Sequence, residues 1–296
     1  MSEIEREIAS QPWCWREAHA RAPIAGLSLP RPGERAAVVG CGTSLFVAQS
    51  YAAFRESAAH GETDAFPASE FPDPRRYDKL VAISRSGTTT EVERLLASLP
   101  AETSVAICAV EDSAVVRAAH ASVIIEFADE ASVVQTRFAT SALALLRATV
   151  GEDLEGAIAD ADAAVADDLP VEATAFDHFV FLGHGWTVGL ANEAALKLRE
   201  AAQAHAESYP AMEYRHGPIS LAGPRTLAWI LGTADPQVAA DVRATGATVV
   251  EASRDPMAEL ILIQRTAVAL AAARGLDPDH PRHLTRSVVL SEGGIR

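Results

Sequence analysis

Two segments, VVGCGTSLFVAQSYAAFRE (38–56) and FLGHGWTVGLANEAALKLRE (181–200), read as two copies of one unit. Each opens on apolar, strand-like residues, turns at a Gly-x-Gly and continues as a helical pattern. Gly40 aligns with Gly183 and Gly42 with Gly185 at a single offset, which Ala48/Ala191 and Ala52/Ala195 keep. A strand–GxG–helix opening that recurs about half a chain later predicts two related α/β units.

Further apolar, β-branched runs extend this reading: AAVVG (36–40), KLVAIS (79–84), TSVAICAV (103–110), SVIIEF (122–127), HFVFLG (178–183), TLAWILG (226–232) and ATVVEA (247–252). Helical patterns fill 44–59, 89–99, 134–149, 187–206 and 257–274. Continuous apolar strands separated by helices indicate parallel sheets covered on both faces. The expected fold is α/β, with two three-layer α/β/α units, each a mainly parallel sheet flanked by helices. The first domain is expected over 1–155 and the second over 156–296. The acidic stretch GEDLEGAIADADAAVADDLP (151–170) is expected as a connecting helix and linker.

In a parallel sheet, ligands sit beyond the C-terminal strand ends, where free N–H groups and helix dipoles favour anions. AISRSGTTTE (82–91) has that form, a strand followed by a Ser-x-Ser-Gly turn and a helix. Its hydroxyls and close-approaching glycine suit phosphate. The alternative is helix capping, since Thr88-Thr89-Thr90-Glu91 comes near a capping box. Ser84 and Ser86 are not needed for a cap, however, and Gly42-Thr43-Ser44 supplies a second hydroxyl turn. Neither GxG continues to a full dinucleotide fingerprint, so no nicotinamide cofactor is expected.

The net charge of −15 argues against nucleic acid as a partner. Cys14, Cys41 and Cys108 are too far apart for a disulfide framework or a metal signature, so neither a metal nor any other cofactor is expected. A polar N-terminus, and no apolar run of the ~18–20 residues a bilayer requires, lead to an expected cytoplasmic protein without a membrane partner. Basic residues are nearly all arginine, with Lys79 and Lys197 the two lysines. Lys197 lies between Glu193 and Glu200 at i, i+4 and i+7, one helix face. A lysine between two carboxylates keeps one ionised and fixes its geometry, which suits proton transfer beside a carbonyl. Taken alone, the residues favour a surface Glu–Lys pair, worth only ~0.3–0.5 kcal/mol.

Ser84-Arg85-Ser86-Gly87-Thr88-Thr89, Cys41-Gly42-Thr43-Ser44 and the block ANEAALKLREAAQAHAESYPAMEYRHGPISL (191–221) together resemble the sugar isomerase (SIS) family. The likeness runs from IEREIASQP at the start to PRHLTRSVVL (281–290), and is to the isomerase half of glucosamine-6-phosphate synthase and to stand-alone deaminases. It implies SIS-type units, a phosphorylated sugar as ligand and a homodimer. It further implies that Thr43, Ser44, Ser84, Ser86 and Thr89 bind phosphate, with Arg85 adding a cation where the synthase has an amide. Glu200 would be the base, Glu193 and Lys197 would position it, and His216 would assist ring opening in the partner's site.

Several positions depart from the synthase pattern. Ser2 stands where the synthase has its glutamine-hydrolysing cysteine, so glutamine-dependent synthesis is not expected. Arg286 stands where a lysine forms a Schiff base; arginine stays protonated and is no nucleophile, though it can hold phosphate or an enolate oxygen. Gln135 and Arg137 stand where the synthase has serine and lysine, and a shift in substrate preference is expected. The resulting expectation is an isomerase/deaminase that converts glucosamine 6-phosphate to fructose 6-phosphate and ammonia. Another amino-sugar pair, a fructosamine-6-phosphate deglycase, a pure aldose–ketose isomerase and a non-catalytic sugar-phosphate sensor stay open. The sensor is disfavoured by the retained Glu193, Lys197, Glu200 and His216, and by the lack of a basic extension for DNA binding.

Overall fold

The computed structural model describes residues 1–72, 75–100 and 103–290. The chain starts with helices α1 (Glu3–Ala9) and α2 (Gln11–Ala25) and then divides between two units. One, here the turn unit, takes Cys14–Glu130, Arg137–Glu152 and the tail from Leu284. The other, the helix unit, takes Met1–Trp13, Ala131–Thr136 and Asp153–His283.

The turn unit runs β1 (Ala36–Gly40), α3 (Thr43–Ser57), β2 (Thr63–Pro67), β3 (Lys79–Ser84), α4 (Thr90–Ala97), β4 (Ser104–Cys108), α5 (Ala114–Ala118), β5 (Ala121–Ile124) and α6 (Arg137–Thr149). Its five strands are all parallel in the order β2-β1-β3-β4-β5. The helix unit runs α7 (Glu155–Ala166), β6 (His178–Gly183), α8 (Thr187–Ala202), β7 (His205–Pro210), β8 (Thr226–Leu231), α9 (Pro236–Ala244), β9 (Thr248–Glu251) and α10 (Pro256–Ala273). Its four strands are parallel in the order β7-β6-β8-β9. Every residue of β1, β4 and β8 is buried, which is why these strands read as unbroken apolar runs. The expected α/β architecture of two helix-flanked parallel sheets is the one observed.

The repeat is a complete β–α–β unit, and its last strand was not visible in the pattern. β1-α3-β2 and β6-α8-β7 correspond, and in both the first glycine of the GxG pairs in register with a proline, Gly40 with Pro67 and Gly183 with Pro210. TDAFP and HAESYP are edge strands, half-exposed and closed by proline, so neither carries a buried-strand signature. The helical pattern read over 187–206 stops at Ala202, because Gln203 turns left-handed at φ 51° and the chain enters β7. Helices α1, α2, α5 and α9 also lacked a strong pattern in the sequence.

The GxG spacing has a steric cause. A Cβ on Gly40 would lie 2.6 Å from the Ser44 carbonyl carbon, and one on Gly183 2.4 Å from the Thr187 carbonyl oxygen. The first turn of each helix therefore rests on the last residue of its strand. The second glycines, Gly42 and Gly185, take φ 55° and 56°, where side chains are disfavoured. Contrary to the sequence expectation, α10 is long and apolar enough by length and composition to cross a membrane, yet 72% of it is buried inside the protein. It lies against α7 and α8, and its Glu259 accepts a bond from the Trp229 indole at 3.1 Å.

Gly183→Ala is expected to lower unfolding free energy by about 1–3 kcal/mol through overpacking. Urea unfolding followed by circular dichroism measures it, and an unchanged midpoint would contradict the steric role.

Candidate active site

β1 and β3 are neighbours, so the turns at their C-terminal ends lie side by side. Thr43 and Ser44 open α3, Ser84 ends β3 and Ser86 lies in the turn after it, and all four are buried. The capping alternative fails in the structure. The N-cap of α3 is Gly42, and the N-cap of α4, Thr89, makes no side-chain cap bond. The Ser86 hydroxyl accepts from the Thr88 N–H at 3.3 Å and from the Thr88 hydroxyl at 3.0 Å. Ser84 Oγ and Thr89 Oγ1 stand 3.5 Å apart. These hydroxyls stand at the starts of α3 and α4, where helix dipoles favour an anion, and the Thr90 N–H of α4 is already bonded to the Val288 carbonyl at 3.3 Å.

Arg85 is buried, with its guanidinium 3.6 Å from the buried Glu130 carboxylate and donating to the Arg286 carbonyl at 3.0 Å. Its charge thus faces Glu130, a partner the sequence reading did not identify. Glu130 also accepts the Arg137 N–H at 2.8 Å, which holds the start of α6. The Arg286 side chain pairs with Asp129 and donates to the Glu130 carbonyl. The following residues extend the attachment: Ser287 Oγ lies 2.8 Å from Thr88 Oγ1, and the Leu290 N–H donates to Thr90 Oγ1 at 3.0 Å. The tail is therefore tied along the hydroxyl turn. A signal for Glu130 existed in principle, since an arginine replacing a neutral amide at a buried turn demands a counter-charge.

In the helix unit, Lys197 Nζ lies 3.3 Å from Glu193 Oε1 and 2.5 Å from Glu200 Oε2. Glu193 and Lys197 are 2% exposed at the side chain and Glu200 is 19% exposed, so the three differ in access although they share one face. Burial works against the Lys197 ammonium, but Glu193 and Glu200 outweigh it and hold its pKa above the usual 10.5. Glu200 is the more exposed of the two carboxylates. His216 is exposed, just after the short turn Glu213–Arg215, with its N–H bonded to the Glu213 carbonyl at 2.9 Å. Gln135 also belongs to this unit. Among the described residues, no group of three or more His, Cys, Asp or Glu is placed to hold a metal ion.

The SIS domain family model matches residues 31–150. Glutamine–fructose-6-phosphate aminotransferase (isomerizing) of Neisseria meningitidis serogroup B is 29% identical over 320 residues, covering 86% of this chain and 51% of that protein. The enzyme of the same name from Idiomarina loihiensis is 32% identical over 217 residues, covering 64% of this chain and 36% of that protein. The chain thus spans about half or less of these relatives. Among solved structures, glucosamine-6-phosphate deaminase from Thermotoga maritima superposes with TM-score 0.81 at 26% identity, covering 98% of this chain and all of that one. The C-terminal domain of glucosamine-fructose-6-phosphate aminotransferase from Francisella tularensis gives TM-score 0.82 at 23% identity, over 95% of this chain and 98% of that one. Residues 31–150 match the SIS domain family, and the two helix-flanked parallel sheets form an α/β SIS fold.

Lys197→Met is expected to cost about 3–5 kcal/mol of stability at neutral pH, since the buried Glu193 and the part-buried Glu200 lose their cation. The folded pKa is raised, so Lys197's contribution is complete below the usual lysine pKa of 10.5 and is lost as pH rises through the folded value. Chemical denaturation of both proteins from pH 7 to 11 checks this. The gap is expected to stay constant at first and to narrow only at the alkaline end.

Proposed function

We propose that this chain is an amino-sugar-phosphate isomerase/deaminase that converts glucosamine 6-phosphate and water to fructose 6-phosphate and ammonia. The observation that carries the reading is Lys197 held between a buried Glu193 and a more accessible Glu200. Isomerisation beside a carbonyl needs one carboxylate that can take and return a proton, kept ionised and fixed in place. Glu200 removes the C2 proton of the open-chain amino sugar and delivers it to C1, leaving an imine at C2. Water adds to that carbon, the C–N bond breaks, and ammonia leaves with fructose 6-phosphate. Thr43, Ser44, Ser84, Ser86 and Thr89 hold the phosphate at the edge formed by the two helix N-termini. Arg85 and Arg286 act beside it through Glu130 and Asp129, their observed partners.

Deamination is favoured over amino transfer by Arg286, because a guanidinium forms no Schiff base and imine hydrolysis requires none. The superposition on a glucosamine-6-phosphate deaminase from Thermotoga maritima, over the whole of that chain, supports the same choice. The exposed His216 suits a residue that serves the site of a second copy in a homodimer. The three free cysteines suit the reducing cytoplasm.

The test follows ammonia and fructose 6-phosphate together from glucosamine 6-phosphate. Equal appearance of both is expected, with Glu200→Gln slower by about 10²–10⁴-fold, the usual worth of a general base. Ammonia release no greater than that of the Glu200→Gln protein would overturn the proposal.

A further inference from the structure

We propose that Glu7 is a positioning residue that sets the loop 131–136, which carries Gln135. The inference rests on the function proposed above and concerns a residue outside the hydroxyl turns and the Glu193–Lys197–Glu200 face. Glu7 lies in the last turn of α1, within the helix unit, and is 3% exposed. A buried carboxylate near a helix C-terminus is doubly unfavourable, by desolvation and by the helix dipole. Such a position persists when specific donors meet the charge.

Those donors all come from one loop. Glu7 accepts the Ala131 N–H at 2.6 Å, the Ser132 N–H at 3.3 Å and the Ser132 hydroxyl. The next N–H, that of Val133, donates to the Asp279 carbonyl at 3.4 Å, and the Asp279 carboxylate accepts the Glu3 and Ile4 N–H groups at 2.9 and 2.8 Å. Three consecutive loop N–H groups are therefore bound by α1 or by the residue that holds its N-terminus. Val134 is buried behind them. Held in this way, the loop presents Gln135, whose Oε1 is screened from water and has no hydrogen-bond partner among the described residues. A buried acceptor in that state is costly unless a donor arrives. A hydroxyl or amine of the sugar is such a donor, and Glu7 sets where it is met.

A residue that only supports the fold and one that positions Gln135 differ in kinetics. For Glu7→Gln, which keeps the shape but turns an amide toward the loop's N–H groups, KM for glucosamine 6-phosphate is expected to rise about tenfold or more with kcat little changed, because a displaced contact lowers binding without touching the base. Affinity for inorganic phosphate, measured calorimetrically, is expected to stay constant, since the hydroxyl turns belong to the other unit. Gln135→Ala is expected to raise KM similarly, and the double variant no further, because residues acting through one contact are not additive. Ser132→Ala, a milder change that removes one of the three donors, is expected to shift KM in the same direction and serves if Glu7→Gln does not fold. Unchanged KM in Glu7→Gln and Ser132→Ala, or fully additive effects with Gln135→Ala, overturn the inference while leaving the proposed function standing. A wild-type protein that neither binds nor converts the sugar phosphate overturns both.

Discussion

Each sheet depends on a close approach between a strand end and the helix that follows it. At Gly40 and again at Gly183 the backbone of the next helix occupies the space a side chain would need. That contact brings the first turns of α3 and α8 down onto β1 and β6, and in the turn unit it carries Thr43 and Ser44 to the edge where β3 delivers Ser84 and Ser86. A helix set further out would leave its N–H groups and hydroxyls too dispersed to converge on one anion. The same packing requirement therefore explains the repeat and the approach of Thr43 and Ser44 to Ser84 and Ser86.

Buried charge is the second organising feature. Arg85 with Glu130, Lys197 with Glu193, and Glu7 with the loop at 131–132 are all carboxylates or cations removed from water and met by fixed partners, and the part-exposed Glu200 joins Lys197. Such groups add little net stability compared with apolar packing, but they penalise any arrangement that separates them. They serve precision of placement in a fold whose cores are otherwise largely apolar. In the proposed chemistry, a base has to return a proton to the adjacent carbon, and tolerance for misplacement is low.

Arg286 illustrates how one substitution redirects a segment. Its side chain engages Asp129 and the Glu130 carbonyl, and its own carbonyl receives Arg85. A residue that cannot act as a nucleophile instead ties the tail to the hydroxyl turn. An arginine at 85 in place of an amide thus pairs with Glu130, and an arginine at 286 in place of a lysine with the adjacent Asp129.

Local periodicity and spacing encode much of the fold in the order of residues. Buried strands show as unbroken apolar runs, the GxG turns recur at one offset, and Glu193, Lys197 and Glu200 share a helix face by count alone. Strands β2 and β7 escaped because half-exposed edges closed by proline lack a burial pattern. Glu130 and Glu7 escaped for a different reason. Glu7 meets Ala131 across 124 residues of chain, and an isolated glutamate carries no mark of which distant N–H groups it will satisfy. Only the tertiary structure decided those pairings, because the cost of burying a charge is settled by what the folded chain brings beside it.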